Sequence, residues 1–265
     1  MIVSMALLAL VLGVVEGVTE FLPISSTGHL ILVSHFLGFE GPRAEVFEIF
    51  IQLGAVLTVV VEYRSRLVAL ATSIRREAAS RRFAAAVAIA FLPAAVSGLL
   101  LHHWISEHLF GPRAVAAAAI AGAALILAID RPGRRPEVES VEAIGSRRAL
   151  LIGLAQCLSL WPGFSRSAAT ILGGLVCGLP RRAATEFSFF LAIPTLGAAT
   201  VYELVKKRDL LAPGDGAPLL LATAVSFFVA WICIRWLLRF VSTHDLRPFA
   251  WYRVALGVVV LAVVR

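Results

Sequence analysis

Apolar runs near the length of a membrane-spanning helix recur along this 265-residue chain, roughly over 2–21, 24–37, 46–63, 84–103, 114–130, 149–161, 166–179, 186–205, 217–239 and 249–264. A helix needs about 20 apolar residues to cross the hydrocarbon core, and little besides a helix satisfies its own backbone there. Charged residues are 15% of the chain, against about 25% in a soluble domain. The chain reads as an all-α polytopic membrane protein, a single integral domain over 1–265. Its N-terminal run lacks a basic region and a small-residue cleavage site, so we read it as mature structure. Cys157, Cys177 and Cys233 all fall in apolar segments without CxxC spacing and read as small core side chains.

The runs 24–37, 149–161 and 166–179 are too short to span. They flank two breaks, Pro23-Ile-Ser-Ser-Thr-Gly28 and Pro162-Gly-Phe-Ser-Arg166. Proline stops the incoming helix and glycine loosens the turn. The expectation is six transmembrane helices plus two re-entrant helix-loop-helix hairpins. The formal net charge of +7 needs no nucleic acid to explain it. Arg64, Arg66, Arg75, Arg76, Arg81 and Arg82 crowd one loop, and Arg131, Arg134, Arg135, Arg147 and Arg148 another, as the positive-inside rule places cytoplasmic loops. Tracing the spans puts both termini outside, with Lys206-Lys207-Arg208 an exception on the outer face.

Two pseudo-repeats, about 1–130 and 149–265, flank a basic loop over 131–148. Gly13-Val-Val-Glu16 matches Gly153-Leu-Ala-Gln156. With a one-residue offset Pro23-Ile-Ser-Ser26 matches Pro162-Gly-Phe-Ser165, and Glu48 matches Glu186. Three spans between corresponding hairpins make the repeat an inverted one, with a site where the broken helices meet.

Polar chemistry concentrates at those breaks, where ionisable residues at membrane depth mark function. Glu16 and Glu20 share a helix face, and two carboxylates so close need a cation or a proton between them. A divalent cation, Mg²⁺ or Ca²⁺, bridging to a phosphate would satisfy both. Ser25, Ser26 and Thr27 precede Gly28, placed to cap the next helix with N–H groups facing an anion. His29 lies three residues after Ser26 and near both carboxylates, as acid–base work requires. In the second break, Ser165-Arg166-Ser167 offers a guanidinium fork suited to phosphate. Together these groups suggest phosphoryl transfer. Glu48, Gln52, Glu186 and Ser188 are secondary candidates. His102, His103, His108 and Trp104 read as interfacial.

Glu16-Gly-x-Thr-Glu20-Phe-Leu-Pro-Ile-Ser-Ser-Thr-Gly-His29 and Pro162-Gly-x-Ser-Arg166-Ser closely resemble the two signature motifs of the undecaprenyl-pyrophosphate phosphatases, the bacterial bacitracin-resistance family. The likeness extends over essentially the whole chain. It implies an inner-membrane enzyme that converts undecaprenyl diphosphate to undecaprenyl phosphate, with a divalent cation, a site open to the periplasm, and a homodimer in the lipid bilayer. By motif position it implies Glu16 and Glu20 as the acidic pair, Ser26 as the nucleophile candidate, attacking phosphorus itself or orienting the attacking water, His29 as acid/base and Arg166 as phosphate clamp. Phe164 stands where the family often has Thr, and Ala168 where Gly is common. The alternative is a transporter for the same lipid phosphate, since secondary carriers share this architecture.

Overall fold

Pro23 and Pro162 sit where helices stop. The computed structural model describes residues 4–39, 41–109, 111–131, 133, 136–138, 140–207, 209 and 214–263. Arg134, Arg135 and Arg208 of the basic stretches, and the outermost ends of the first and last apolar runs, lie outside them. Among the described residues the chain is helical throughout, without strands. The first break separates α1 (Met5–Thr19) from α2 (Ser26–Leu37). The second separates α7 (Ser146–Gln156), extended by a 3₁₀ turn over Cys157–Leu160, from α8 (Arg166–Val176). At 1.5 Å per residue none of these four helices reaches the roughly 30 Å of a hydrocarbon core.

The longer helices are α3 (Pro42–Glu62), α5 (Ala78–His108), α6 (Pro112–Ile129), α9 (Arg181–Lys207), α10 (Gly216–Thr243) and α11 (Arg247–Val263). Five of them are long and apolar enough to cross a membrane, one fewer than the sequence suggested. The sixth, α11, has 17 residues and carries Arg253. The arginine-rich stretch after α3 is itself helical, α4 (Arg64–Ser73), which apolar periodicity could not signal because no residue in it is buried. Pro93 and Pro194 lie inside α5 and α9, which continue through them.

Close helix approach depends on missing side chains. A Cβ on Gly13 would meet Ala222 O at 2.6 Å, and one on Gly17 would meet Ser226 O at 2.7 Å. This small-xxx-small stripe lets α1 lie directly on α10, the usual device where lipid removes the hydrophobic drive. A single glycine does the same for α7 on α5, a Cβ on Gly153 meeting Ala90 O at 2.5 Å. Likewise α2 packs on α11 and α8 on α6.

The helix caps fix the register between the halves. Ser25 and Ser165 are the two non-glycine residues with positive φ among the described residues, 72° and 76°. Each caps the helix that follows: Gly28 N donates to Ser25 Oγ at 3.3 Å and Ala168 N to Ser165 Oγ at 3.2 Å. Ser165 therefore corresponds to Ser25, and the one-residue offset that paired it with Ser26 is corrected. A constant step of 140 aligns Gly13 with Gly153, Glu16 with Gln156 and Ser26 with Arg166.

Away from the breaks, buried Asp130 at the end of α6 ties three helices. Arg181 Nε reaches its two carboxylate oxygens at 2.8 and 3.1 Å, and Leu246 N donates to Oδ2 at 2.7 Å.

Candidate active site

The two breaks meet inside the protein. Ser167 Oγ donates to Leu22 O at 2.9 Å, crossing from the second break to the first. Arg253, fully buried on α11, clamps both. Its Nη1 donates to Pro23 O at 3.2 Å and its Nη2 to Gly163 O at 3.2 Å. Its Nε and Nη2 also reach Ala119 O and Ala118 O of α6, at 3.0 and 3.3 Å. The Phe164 ring lies 5.7 Å from this guanidinium and covers the clamp. Gly122 leaves the space: a Cβ there would come within 2.1 Å of Nη2.

That junction brings Glu20 and Arg166 together. Arg166 Nη2 donates to Glu20 Oε1 at 2.9 Å, and the side chains are 7% and 4% exposed. Nη1 donates to Ser188 O at 3.1 Å and to Ser188 Oγ at 3.2 Å. Thr170 Oγ1 stands 2.6 Å from the same Ser188 hydroxyl. Phe21 lies 5.5 Å from the Arg166 guanidinium and packs edge-on against Phe189. The other oxygen of Glu20 accepts from Ser26 Oγ at 2.7 Å. Ser26 and Thr27 are partly exposed on the first turn of α2. Carboxylate, hydroxyl and guanidinium thus form one connected set, in the relation a base, a nucleophile and an anion clamp require.

Some sequence expectations change here. His29 does not bond Ser26. Its Nδ1 lies 2.7 Å from Ser25 O and its Nε2 2.7 Å from Tyr252 Oη. Arg166 is not an idle fork, since Glu20 and Ser188 already engage it. Ser167 spends its hydrogen on Leu22 O, so in its 2.9 Å contact with Ser165 the Ser165 hydroxyl donates. Glu186 lies in a different network, 3.6 Å from Arg66 and 3.4 Å from Arg182, with Arg66 also bonded to Glu142. Its carboxylate belongs to the arginine-rich surface because α9 starts there with Arg181-Arg182. Gln52 accepts from Thr200 Oγ1 at 3.4 Å. Glu48 is close enough to Glu16 to repel it, as Glu20 does, while Arg166 attracts it. Sequence reasoning missed Thr170, Tyr252 and Arg253. An arginine inside the apolar run 249–264 was the available signal for the last.

Two buried polar atoms in this set have no hydrogen-bond partner: Glu16 Oε1, an acceptor, and Arg166 Nε, a donor. An unpaired buried carboxylate oxygen beside two other acidic groups suits a divalent cation. Among the described residues no group of three or more His, Cys, Asp and Glu side chains is arranged to hold a metal unaided. A hard cation that keeps water and phosphate oxygens as ligands needs only one or two carboxylates, so the donor set fits Mg²⁺ or Ca²⁺ bound jointly with a phosphate.

Residues 9–259 match the family model described as bacitracin resistance protein BacA. A protein named undecaprenyl-diphosphatase from Nitrosospira multiformis is 53% identical, covering 95% of this chain and 92% of its own length. One of the same name from Dechloromonas aromatica is 52% identical over 96% and 93%, and one from Cupriavidus necator 49% over 98% and 95%. Matches of this extent, with both motif-bearing breaks inside the matched region, place the chain in the BacA bacitracin resistance family.

Proposed function

We propose that this protein hydrolyses undecaprenyl diphosphate to undecaprenyl phosphate and inorganic phosphate, recycling the lipid carrier of peptidoglycan and other envelope polymers and so conferring bacitracin resistance. The shared name of its relatives supports the substrate. The observation that carries the chemistry is the pair of unpartnered buried atoms, Glu16 Oε1 and Arg166 Nε, one suited to a cation and the other to an anion. A metal-bound phosphate presents both charges at once.

In this reading Arg166 grips the diphosphate, helped by Ser165, Ser25 and Thr27 around the helix N-termini. Glu16 and Glu20 hold the divalent cation, which when bound neutralises developing charge on phosphate oxygens. Glu20 accepts the Ser26 proton along their 2.7 Å hydrogen bond as Oγ attacks the terminal phosphorus. The bond from that phosphorus to the bridging oxygen breaks, and its electron pair leaves with undecaprenyl phosphate. Water then attacks the phosphoserine while His29 receives the water's proton. Glu20 returns its proton to Ser26 as phosphate departs. A crevice of about 250 Å³ lined by Leu125, Leu158, Phe164 and Leu172 adjoins the second break and suits the first isoprene units.

The wider setting in this proposal is the bacterial inner membrane. Six spans, with α11 as the sixth, surround two re-entrant hairpins in inverted orientation, and the site opens to the periplasm of a homodimer. The test is phosphate release by detergent-purified protein from undecaprenyl diphosphate, with and without chelator. Release that needs no gradient or second compartment, and that falls with chelator, is the expected result. No release under any metal condition overturns the proposal and leaves lipid transport as the reading to pursue.

A further inference from the structure

His29 has no free ring nitrogen. A carbonyl oxygen only accepts, so the neutral ring carries its hydrogen on Nδ1 and donates it to Ser25 O. The lone pair is then on Nε2, where the Tyr252 hydroxyl donates to it at 2.7 Å. The two rings are parallel to within 5°, with centroids 5.5 Å apart. Ser25 is the strained cap of α2, so the carbonyl that fixes the tautomer is itself fixed by backbone geometry. Tyr252 is 48% exposed on α11, next in sequence to the buried clamp Arg253. Both ring nitrogens of the proton acceptor named in the proposed mechanism are therefore engaged, Nε2 by a phenol that the mechanism does not use.

We propose that Tyr252 is a catalytic residue, the proton relay between the attacking water and His29. The hydroxyl gives its hydrogen to Nε2 and takes one from the attacking water in the same movement. The phenol ends neutral, His29 ends as imidazolium, and the water ends as the nucleophile. In the imidazolium, Nε2–H donates back to the phenol oxygen, so the 2.7 Å contact survives with its direction reversed. The Glu20–Ser26 pair performs the first proton transfer and the Tyr252–His29 pair the second.

This inference rests on the proposed hydrolysis, and the experiment separates the two. Tyr252→Phe keeps the ring and removes only a hydroxyl from a half-exposed position. In the phosphate-release assay its kcat is expected to fall about tenfold with KM within twofold, as for loss of a positioned acid–base partner. In a His29→Gln background the same substitution is expected to change kcat by less than twofold, because the two residues act as one unit. A kcat equal to the parent's, or a tenfold fall that persists without His29, overturns the role. In parallel, ¹⁵N NMR of histidine-labelled protein is expected to show the His29 Nε2 resonance displaced by Tyr252→Phe. An unmoved resonance overturns the contact whether or not the parent releases phosphate. A parent that releases none refutes the hydrolysis while the NMR result still judges the Tyr252–His29 pair.

Discussion

Arg253→Met tests whether the breaks are held together by one side chain. The guanidinium donates to four carbonyls. Two of them, Ala118 O and Ala119 O, belong to α6 and keep their intrahelical partners when the arginine is gone. The other two, Pro23 O and Gly163 O, lie in the breaks and lose a charged donor. A buried polar group left unpaired costs about 1–3 kcal/mol, so the two together cost about 2–6 kcal/mol. Against a typical stability of about 5–15 kcal/mol the protein survives this. The loss falls on the junction that aligns Glu20 with Arg166. Even about 2 kcal/mol there corresponds to roughly a 30-fold rate loss. Phosphate release by purified Arg253→Met is therefore expected to fall at least 30-fold at a temperature where the helical signal is intact, with a lowered melting temperature. Arg253→Lys, whose ammonium cannot span carbonyls on three elements, is expected to fall between. Gly122→Ala approaches the same clamp from the other side, by forcing Nη2 aside, and is expected to reproduce the loss. Parent-like rate and melting in Arg253→Met would refute the reasoning.

Further predictions concern the buried pair and the helix contacts. Glu20→Gln leaves the Arg166 charge without its carboxylate partner and is expected to destabilise by about 3–5 kcal/mol. Adding Arg166→Gln should recover most of that in a denaturation experiment while phosphate release stays lost, which separates the pair's structural cost from its chemical use. Gly17→Leu drives a side chain into Ser226 O and Val229 Cβ, both 2.7 Å from the added Cβ. It is expected to cost at least the roughly 1–3 kcal/mol of an overpacked core, read as a lowered melting temperature. Asp130→Ala orphans Leu246 N–H and Arg181, and it is expected to lower the melting temperature with kcat unchanged below it.

The polar residues at the two breaks were legible because each is expensive where it stands. Glu16, Glu20, Ser26 and Arg166 break an apolar pattern, and the structure gathers Glu20, Ser26 and Arg166 into one set. Residues whose meaning depends on a distant backbone were not legible. Ser167 looks like a phosphate ligand until Leu22 O, 145 residues away, takes its hydrogen. Tyr252 in an apolar run resembles any interfacial aromatic until His29 is found beside it. Glu186 misled for the converse reason. Its alignment with Glu48 was real as a pattern, but the arginines of α4 and α9 decide its partner, and sequence spacing does not encode that surface. The register slipped by one because serine follows serine at 25 and 26, and only the positive φ tells the cap from its neighbour.

With the register corrected, the halves divide their labour in a way charge explains. The step of 140 keeps what the scaffold needs: glycine at 13 and 153 for helix contact, and a capping serine at 25 and 165. It changes what the chemistry needs. Glu16 becomes Gln156, Glu20 becomes Leu160, Ser26 becomes Arg166 and His29 becomes Ala169. In the proposed inverted repeat, equivalent positions of the two halves approach one another at the breaks. Unchanged copies would bring four carboxylates together with no guanidinium to offset them, and like charges in a poorly solvated interior repel strongly. Removing the second set of acids and placing arginine at the position equivalent to Ser26 turns that repulsion into the 2.9 Å Glu20–Arg166 pair. In the proposed hydrolysis it also leaves one face with a base and a nucleophile and the other with an anion clamp. The proposed phosphoryl transfer needs those two faces to differ, so the asymmetry between the copies is the property on which that proposal depends.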